Sequence, residues 1–133
     1  MEYQSIDSLV LKRITKRIPE CVETVLMAHP ANAYLAGGFI RSCILEEEIS
    51  DFDLFLANQQ VWDKVDADIR LKALGEGEPF NTPNARTYTV NGQKIQLVSK
   101  FMFDNPISLL DFFDFTMAQA VIWYENFDWR CRV

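Results

Sequence analysis

Two neighbouring stretches decide the fold: residues 33–44, AYLAGGFIRSCI, and residues 51–56, DFDLFL. The run 33–36 is short and apolar, which predicts a buried strand. The glycine pair that follows predicts a tight turn, and the apolar residues after it recur at helical spacing. Residues 51–56 alternate, and they predict a second strand that places Asp51 and Asp53 on one face and turns Phe52 into the protein.

Two helices are predicted ahead of these stretches. From about residue 5 to residue 18, apolar side chains recur at three- and four-residue steps, as in an amphipathic helix. Pro19 suits the first position of a second helix, where its missing N–H costs nothing. His29-Pro30 ends that helix.

A helix and a hairpin are predicted after them. Asn58 suits the N-cap of a helix that runs to about Leu74. Asn91-Gly92 lies between the strand-like runs 86–90 and 94–98, and this dipeptide is the strongest short-range hairpin signal that a sequence carries. A β-hairpin is therefore predicted here.

The signals are less uniform toward the end of the chain. Pro106 opens a short helix that runs to about Phe112. Residues 116–124 fit a buried strand or a helix, and periodicity does not decide between them. The last residues, from Trp129, predict a strand.

Taken together, the predicted elements indicate an α/β (α+β) fold: a small mixed sheet with helices packed mainly on one face. We expect a single domain over residues 1–133. It would comprise N-terminal helices (about 5–29), a central core (about 33–100) and a C-terminal segment (about 104–133).

The composition excludes several classes of protein. Of the 133 residues, 49% are hydrophobic and 24% charged, which excludes disorder as the main state. No apolar run approaches the roughly 18 residues that span a bilayer, and the N-terminus has no secretion signal. Three scattered cysteines exclude a zinc cluster or a disulfide scaffold. We therefore expect a cytoplasmic protein without a membrane span. Its net charge of -6 argues against a broad basic face for nucleic acid and leaves a local basic patch open.

The glycine turn and the paired aspartates suggest chemistry. Gly37 and Gly38 would let a phosphate approach the backbone at the start of a helix. Asp51 and Asp53 on one strand face could bind one or two Mg²⁺ ions. Each feature also has a plainer explanation, since a glycine pair can be only a tight connection and edge carboxylates discourage aggregation. Their combination favours a site.

The same residues carry a family resemblance. Residues 34–45 followed by 50–55 resemble the head domain of the nucleotidyltransferase superfamily, closest to the branch of CCA-adding enzymes and bacterial poly(A) polymerases, where the pattern reads roughly hAGGxVRDxLL and then DhDh. The resemblance covers about 35–124. Residues 86–98 fall where the family has a GTVTV-like strand and its hairpin partner, and residues 114–116 where it has RRDFTxNA.

The resemblance implies the polymerase β-like fold and a reaction: transfer of a nucleoside monophosphate from an NTP such as ATP to a hydroxyl. Asp51 and Asp53 would be the catalytic metal ligands for two Mg²⁺ ions. Arg41 stands at the family's Arg position, where it would neutralise charge near the triphosphate. An equally good interpretation is an exposed helix residue that pairs with Glu47 or Glu48. The residues expected around the nucleotide are Gly37, Gly38, Arg41, Ser42 and Asp114.

The chain also departs from the family's pattern. Gln96 stands where most active members carry a third carboxylate, and an amide does not replace that charge at a metal. Ser42 replaces the Asp that follows the family's Arg, and Phe112-Phe113 replaces the Arg pair before Asp114. Two functions therefore stay open: a minimal Mg²⁺-dependent nucleotidyltransferase, or an inactive relative that binds a nucleotide or a protein partner.

The acceptor and the partners stay open as well. RNA, a protein and a small hydroxylated molecule are all compatible with the residues. Trp123, Phe127 and Trp129 form either an aromatic edge for a protein partner or an ordinary edge of the core. Standalone, reduced domains of this kind resemble proteins encoded by phages or prophages, and a continuation of the natural protein beyond Val133 stays open.

Overall fold

A computed structural model describes residues 6–49, 51–112 and 120–133. The helices of these residues are α1 (Ser8–Lys16), α2 (Glu20–Ala28), α3 (Phe39–Ile44), α4 (Gln59–Lys72) and α5 (Pro106–Phe112). The strands are β1 (Ala33–Ala36), β2 (Asp51–Leu56), β3 (Phe80–Asn81), β4 (Ala85–Val90), β5 (Gln93–Val98), β6 (Val121–Glu125) and β7 (Asp128–Arg132).

The strands form one seven-stranded sheet in the order β3-β4-β5-β2-β1-β6-β7. β2 and β5 are parallel, and the other neighbouring strands are antiparallel. The predicted mixed α/β fold is therefore confirmed. β2, which carries the paired aspartates, lies in the middle of the sheet with β1 and β5 on either side.

Local chemistry explains where several elements begin and turn. The Asn58 side chain accepts a hydrogen bond of 3.0 Å from the Val61 amide, which confirms the predicted N-cap of α4. Asn91 and Gly92 have φ values of 52° and 79°, as a two-residue turn between antiparallel strands requires. The predicted hairpin is confirmed as β4 and β5, and α5 begins at Pro106 as predicted.

The C-terminal part of the chain resolves the open prediction for residues 116–124 and places a cysteine in the core. Residues 121–124 lie in strand β6, so the described part of 116–124 contains a strand and no helix. Cys131 lies on β7 at the edge of the sheet, but it is only 2% exposed because β7 turns it into the main core, so an exposed edge thiol is not what the structure shows.

The two faces of the sheet are covered differently. Helices α1 to α4 pack on one face, where the main core includes Leu35, Leu54 and Ile95 from three adjacent strands. On the other face, α5 and the segment after β5 cover a second apolar cluster. Its buried members are Tyr34, Ala36, Phe55, Val98, Leu109, Leu110, Val121 and Trp123. This second cluster ends where the polar residues of β2 and β5 begin, at the part of the sheet that carries the candidate site.

Within residues 6–49, 51–112 and 120–133, every helix is too short or too polar to cross a bilayer.

Candidate active site

One row of side chains crosses the sheet from its β3 edge to the centre. The register pairs Phe80 with Thr87, Thr87 with Gln96, and Gln96 with Asp53. Residues that are paired in register point to the same face. The row therefore places Gln96 directly beside Asp53, on the face opposite helices α1 to α4.

A second, shorter row runs beside the first. Thr89 pairs with Lys94, and Lys94 pairs with Asp51. Asp51 and Lys94 are both exposed, whereas Asp53 in the first row is half-buried. The predicted placement of Asp51 and Asp53 on one face is confirmed by the strand geometry, and the fold adds a cationic neighbour.

The turn after β1 lies directly beside one of the two carboxylates. Gly37 has a φ of +83°, and a Cβ built on it would lie 2.5 Å from Oδ2 of Asp53. A side chain at this position would require both a strained backbone and displacement of the carboxylate. Gly38 differs, since it has a φ of -77° and a Cβ there would meet nothing within 4 Å. Gly37 therefore makes room for Asp53, and open space lies beside Gly38.

An aromatic pair fixes this turn relative to β2. The rings of Phe39 and Phe52 lie 5.3 Å apart between centroids, and both side chains are buried. Phe39 is the first residue of α3, immediately after the glycines, and Phe52 lies between the two aspartates. The packing of these rings couples the position of the glycine turn to that of the carboxylates.

The electrostatics of the pair are unfavourable without a counter-charge. Burial raises the pKa of Asp53 to about 6, and the neighbouring charge of Asp51 contributes to the increase. Among the described residues, neither carboxylate accepts a side-chain hydrogen bond or forms an ion pair. Within the described ranges, the chain thus holds two neighbouring carboxylates, one of them half-buried, without a side-chain donor.

This donor set fits magnesium. Mg²⁺ commonly binds through one or two carboxylates, with substrate phosphates and waters completing the octahedron. The described residues contain no group of three or more histidine, cysteine or acidic side chains that could hold a metal. The amide of Gln96 beside Asp53 accounts for the missing third carboxylate in this part of the sheet.

The other predicted nucleotide ligands lie apart from this pair or outside the described residues. The carbonyl of Ser42 accepts hydrogen bonds from Arg17 and from the Glu47 amide, so its backbone joins α3 to α1. Arg41 is exposed on α3 and, within the described residues, pairs with neither Glu47 nor Glu48. Asp114 lies outside the described residues.

A groove runs along the two rows from Asp51 toward the edge of the sheet. Its volume is about 250 Å³. The residues that line it are Asp51, Glu78, Phe80, Thr87, Thr89, Lys94 and Gln96. We call it the β3–β5 groove. Phe80 is 70% exposed at its outer end, so an aromatic platform and the Asp51 carboxylate occupy opposite ends of one polar surface.

A family model covers nearly the whole chain. The model of the Gabija anti-defense 2 (Gad2) family protein matches residues 5–132. The chain belongs to the Gad2 family. A search of curated proteins finds no match for this Gad2-family chain.

Solved structures show the fold of the Gad2-family chain independently. It is similar to a Thermotoga maritima CCA-adding enzyme complexed with tRNA, with a TM-score of 0.66 and 15% identity over 100% of this chain and 33% of that one. It is also similar to a CCA-adding enzyme in complex with CTP, with a TM-score of 0.65 and 15% identity over 100% and 32%. The chain thus spans about a third of the length of these enzymes and has a nucleotidyltransferase-like fold.

Part of the Gad2 groove could have been found from the sequence. A two-residue turn at 91–92 requires Thr87 to face Gln96 and Thr89 to face Lys94, so these four side chains are predictable neighbours. Phe80 is different, since a strand of two residues has no recognisable periodicity. The parallel register between β2 and β5 is likewise a long-range feature that no local signal contains.

Proposed function

We propose that this Gad2-family chain is a Mg²⁺-dependent nucleotidyltransferase, which moves a nucleoside monophosphate from an NTP to a hydroxyl acceptor. We further propose that this transfer serves the anti-defense role in the family's name. The observation that carries the proposal is the Asp51 and Asp53 pair on an open sheet face, with Asp53 seated against Gly37.

The chain's own residues perform the positioning. Gly37 allows the Asp53 carboxylate to approach the turn, and the Phe39–Phe52 pair keeps turn and strand in register. The open space beside Gly38 gives the triphosphate access to backbone N–H groups. Lys94, beside Asp51, supplies a positive charge for a phosphate oxygen.

Magnesium would be held by Asp51 and Asp53. When bound, it supplies charge neutralisation at the phosphates and lowers the pKa of the attacking hydroxyl. The burial of Asp53 and its repulsion with Asp51 disfavour the unliganded, ionised pair and thereby favour cation binding.

A second candidate function is supported by Gln96. Because this neutral amide occupies the position beside Asp53, the chain has one negative charge fewer than a three-carboxylate site. A relative that binds a nucleotide or a protein partner without turnover would retain this fold and lose the need for that charge.

Thermal unfolding with each of the four NTPs, with and without Mg²⁺, tests the proposal. A ligand that binds only the folded state raises the free energy of unfolding by mass action, by about 2.7 kcal/mol at a hundred times its dissociation constant, and the midpoint rises with it. We expect stabilisation that requires Mg²⁺ and is lost in the Asp51→Asn/Asp53→Asn variant. The same variant without ligand is the matched control, and equal shifts in both proteins would contradict the proposed site.

Gln96→Glu separates the two candidate functions. Transfer of labelled nucleotide by the natural protein supports the enzyme, with Asp51 and Asp53 sufficient as ligands. Transfer that arises only in Gln96→Glu supports the inactive relative. Gln93→Glu, on an exposed position of the same strand, controls for the added charge.

A further inference from the structure

The β3–β5 groove has a polarity that restricts the acceptor. Within it, Asp51 and Glu78 are carboxylates and Lys94 is the cation, so the lining is net negative. The whole chain carries a formal charge of -6. A nucleic-acid end would bring several phosphates against this surface with one ammonium to neutralise them, which is unfavourable. The net negative lining of the groove therefore favours an acceptor whose reacting hydroxyl is uncharged and whose neighbouring groups are positively charged.

The outer end of the groove favours an aromatic ring. Phe80 is 70% exposed on the two-residue strand β3, next to the carboxylate of Glu78. An exposed phenyl face at the mouth of a polar groove gains most when another ring packs against it. Its backbone pairing with Thr87 directs it to the same face as the aspartates.

The arrangement of the groove favours a side chain that combines a ring with a terminal hydroxyl, because the Phe80 ring and the ring packed against it lie in series along the row. Phe80 and Asp53 are separated by three strand spacings of roughly 4.8 Å, which is about 14 Å across the sheet. A tyrosine ring packed against Phe80 directs its hydroxyl along the row toward Asp51 and Asp53. Serine and threonine carry a hydroxyl but have no ring to pack against Phe80.

We propose that the β3–β5 groove receives a tyrosine side chain of a protein, presented by a segment with basic residues, as the hydroxyl acceptor. The transfer itself rests on the proposed function. In that step the phenol oxygen forms a bond to the α-phosphorus of the NTP, while the bond between this phosphorus and the oxygen that bridges to the β-phosphate breaks. Pyrophosphate leaves with the electron pair, and the phenol proton passes to water.

Binding of a short peptide in EDTA tests the groove without nucleotide. The probe is acetyl-Lys-Tyr-Lys-amide, and amide shifts of the ¹⁵N-labelled protein are followed by NMR. We expect shifts at the β4 and β5 amides beside the groove and a dissociation constant about three to ten times weaker in Phe80→Ala. Phe127→Ala removes a ring that is 94% exposed on the β6–β7 turn and should leave the constant unchanged.

The charge of the peptide provides an independent test of the groove. Acetyl-Glu-Tyr-Glu-amide should bind more weakly than the lysine peptide, and Glu78→Gln should reduce that difference. A uridine trinucleotide is the competing probe. If it shifts the groove amides at lower concentration than the lysine peptide, or if the peptide produces no shifts there, the proposal is overturned.

Transfer then identifies the reacting atom. With Mg²⁺ and a labelled NTP, the tyrosine peptide should gain one nucleoside monophosphate by mass, and acetyl-Lys-Phe-Lys-amide should gain none. Peptide shifts in EDTA support the groove even if Mg²⁺ and NTP fail to stabilise the protein, which would be a failure of the proposed function. Nucleotide binding without any peptide shift overturns the acceptor proposal alone.

Discussion

The two halves of one sheet face differ in what they contain and in what covers them. In one half, Tyr34, Phe55 and Val98 lie beneath α5 and are buried. In the other half, Asp53 and Gln96 continue the same strands and are left open. Phe55 and Asp53 are two positions apart on β2, so the same alternation that buries one presents the other. The apolar half anchors the strands, and this anchoring lets the polar half hold like charges together.

Phe55→Ala should have the largest effect on stability. The side chain is 5% exposed, belongs to the second cluster and lies 6.2 Å from the Phe103 ring between centroids. Removing it leaves a cavity and lost contacts, which costs about 3–5 kcal/mol. Urea unfolding measures the change. A cost below about 1 kcal/mol would mean that the covered half does not anchor β2.

Gly37→Ala should have the next largest effect on stability, because Gly37 lies at the border between the two halves. Its φ of +83° costs an alanine about 1–2 kcal/mol, and the new Cβ would displace Asp53 Oδ2 from a distance of 2.5 Å. We expect a loss of about 2–3 kcal/mol and loss of Mg²⁺-dependent NTP stabilisation.

Two controls separate the causes of the Gly37→Ala effect. Gly38→Ala meets open space and should change stability by less than about 1 kcal/mol. Asp53→Ala should recover part of the loss in the double variant, because it removes the displaced carboxylate. Purely additive effects would leave backbone strain as the whole explanation.

Asp53→Asn should stabilise the free protein near pH 7. The folded-state pKa of about 6 lies above the ordinary aspartate pKa of 3.8, so the folded state binds the proton more tightly than the unfolded chain. This carboxyl therefore favours folding below pH 3.8 and loses that contribution as pH rises to about 6. A shift of that size corresponds to roughly 3 kcal/mol, and we expect a gain of about 1–3 kcal/mol for the variant above pH 6.

Urea unfolding at several pH values between 3.5 and 7.5 checks the sign. The same pH series for Asp51→Asn, which removes the neighbouring charge but leaves Asp53 buried, should show a smaller decline than the natural protein. The Asp53→Asn profile should lack the decline that the natural protein shows over this interval. Mg²⁺-dependent binding should move oppositely and weaken below about pH 6, since it requires the ionised carboxyl. Parallel profiles for the natural and Asp53→Asn proteins would contradict the burial of this charge.

The border between the halves was only partly predictable. β2 was predicted with its observed bounds because Asp51 to Leu56 alternates without interruption, and a two-residue turn determined the β4–β5 register. The contact of Gly37 with Asp53 was not predictable, because it depends on the antiparallel pairing of β1 with β2. The position of Gln96 beside Asp53 was suggested only by family resemblance, since parallel register depends on packing between distant segments.

The smallest effects on stability should come from two opposite substitutions, one that replaces a methyl with a hydroxyl in the covered half and one that replaces a hydroxyl with a methyl in the open half. Val98→Thr places a hydroxyl in the covered half, where the side chain is 9% exposed, and should cost about 1–2 kcal/mol. Thr87→Val makes the reverse change in the open half, and we expect a change within about 0.5 kcal/mol, because that surface is already hydrated. Urea unfolding of both variants measures the asymmetry. Equal costs would mean that α5 leaves Val98 accessible to water, and the contrast between a sealed anchor and an open site would then lose its physical basis.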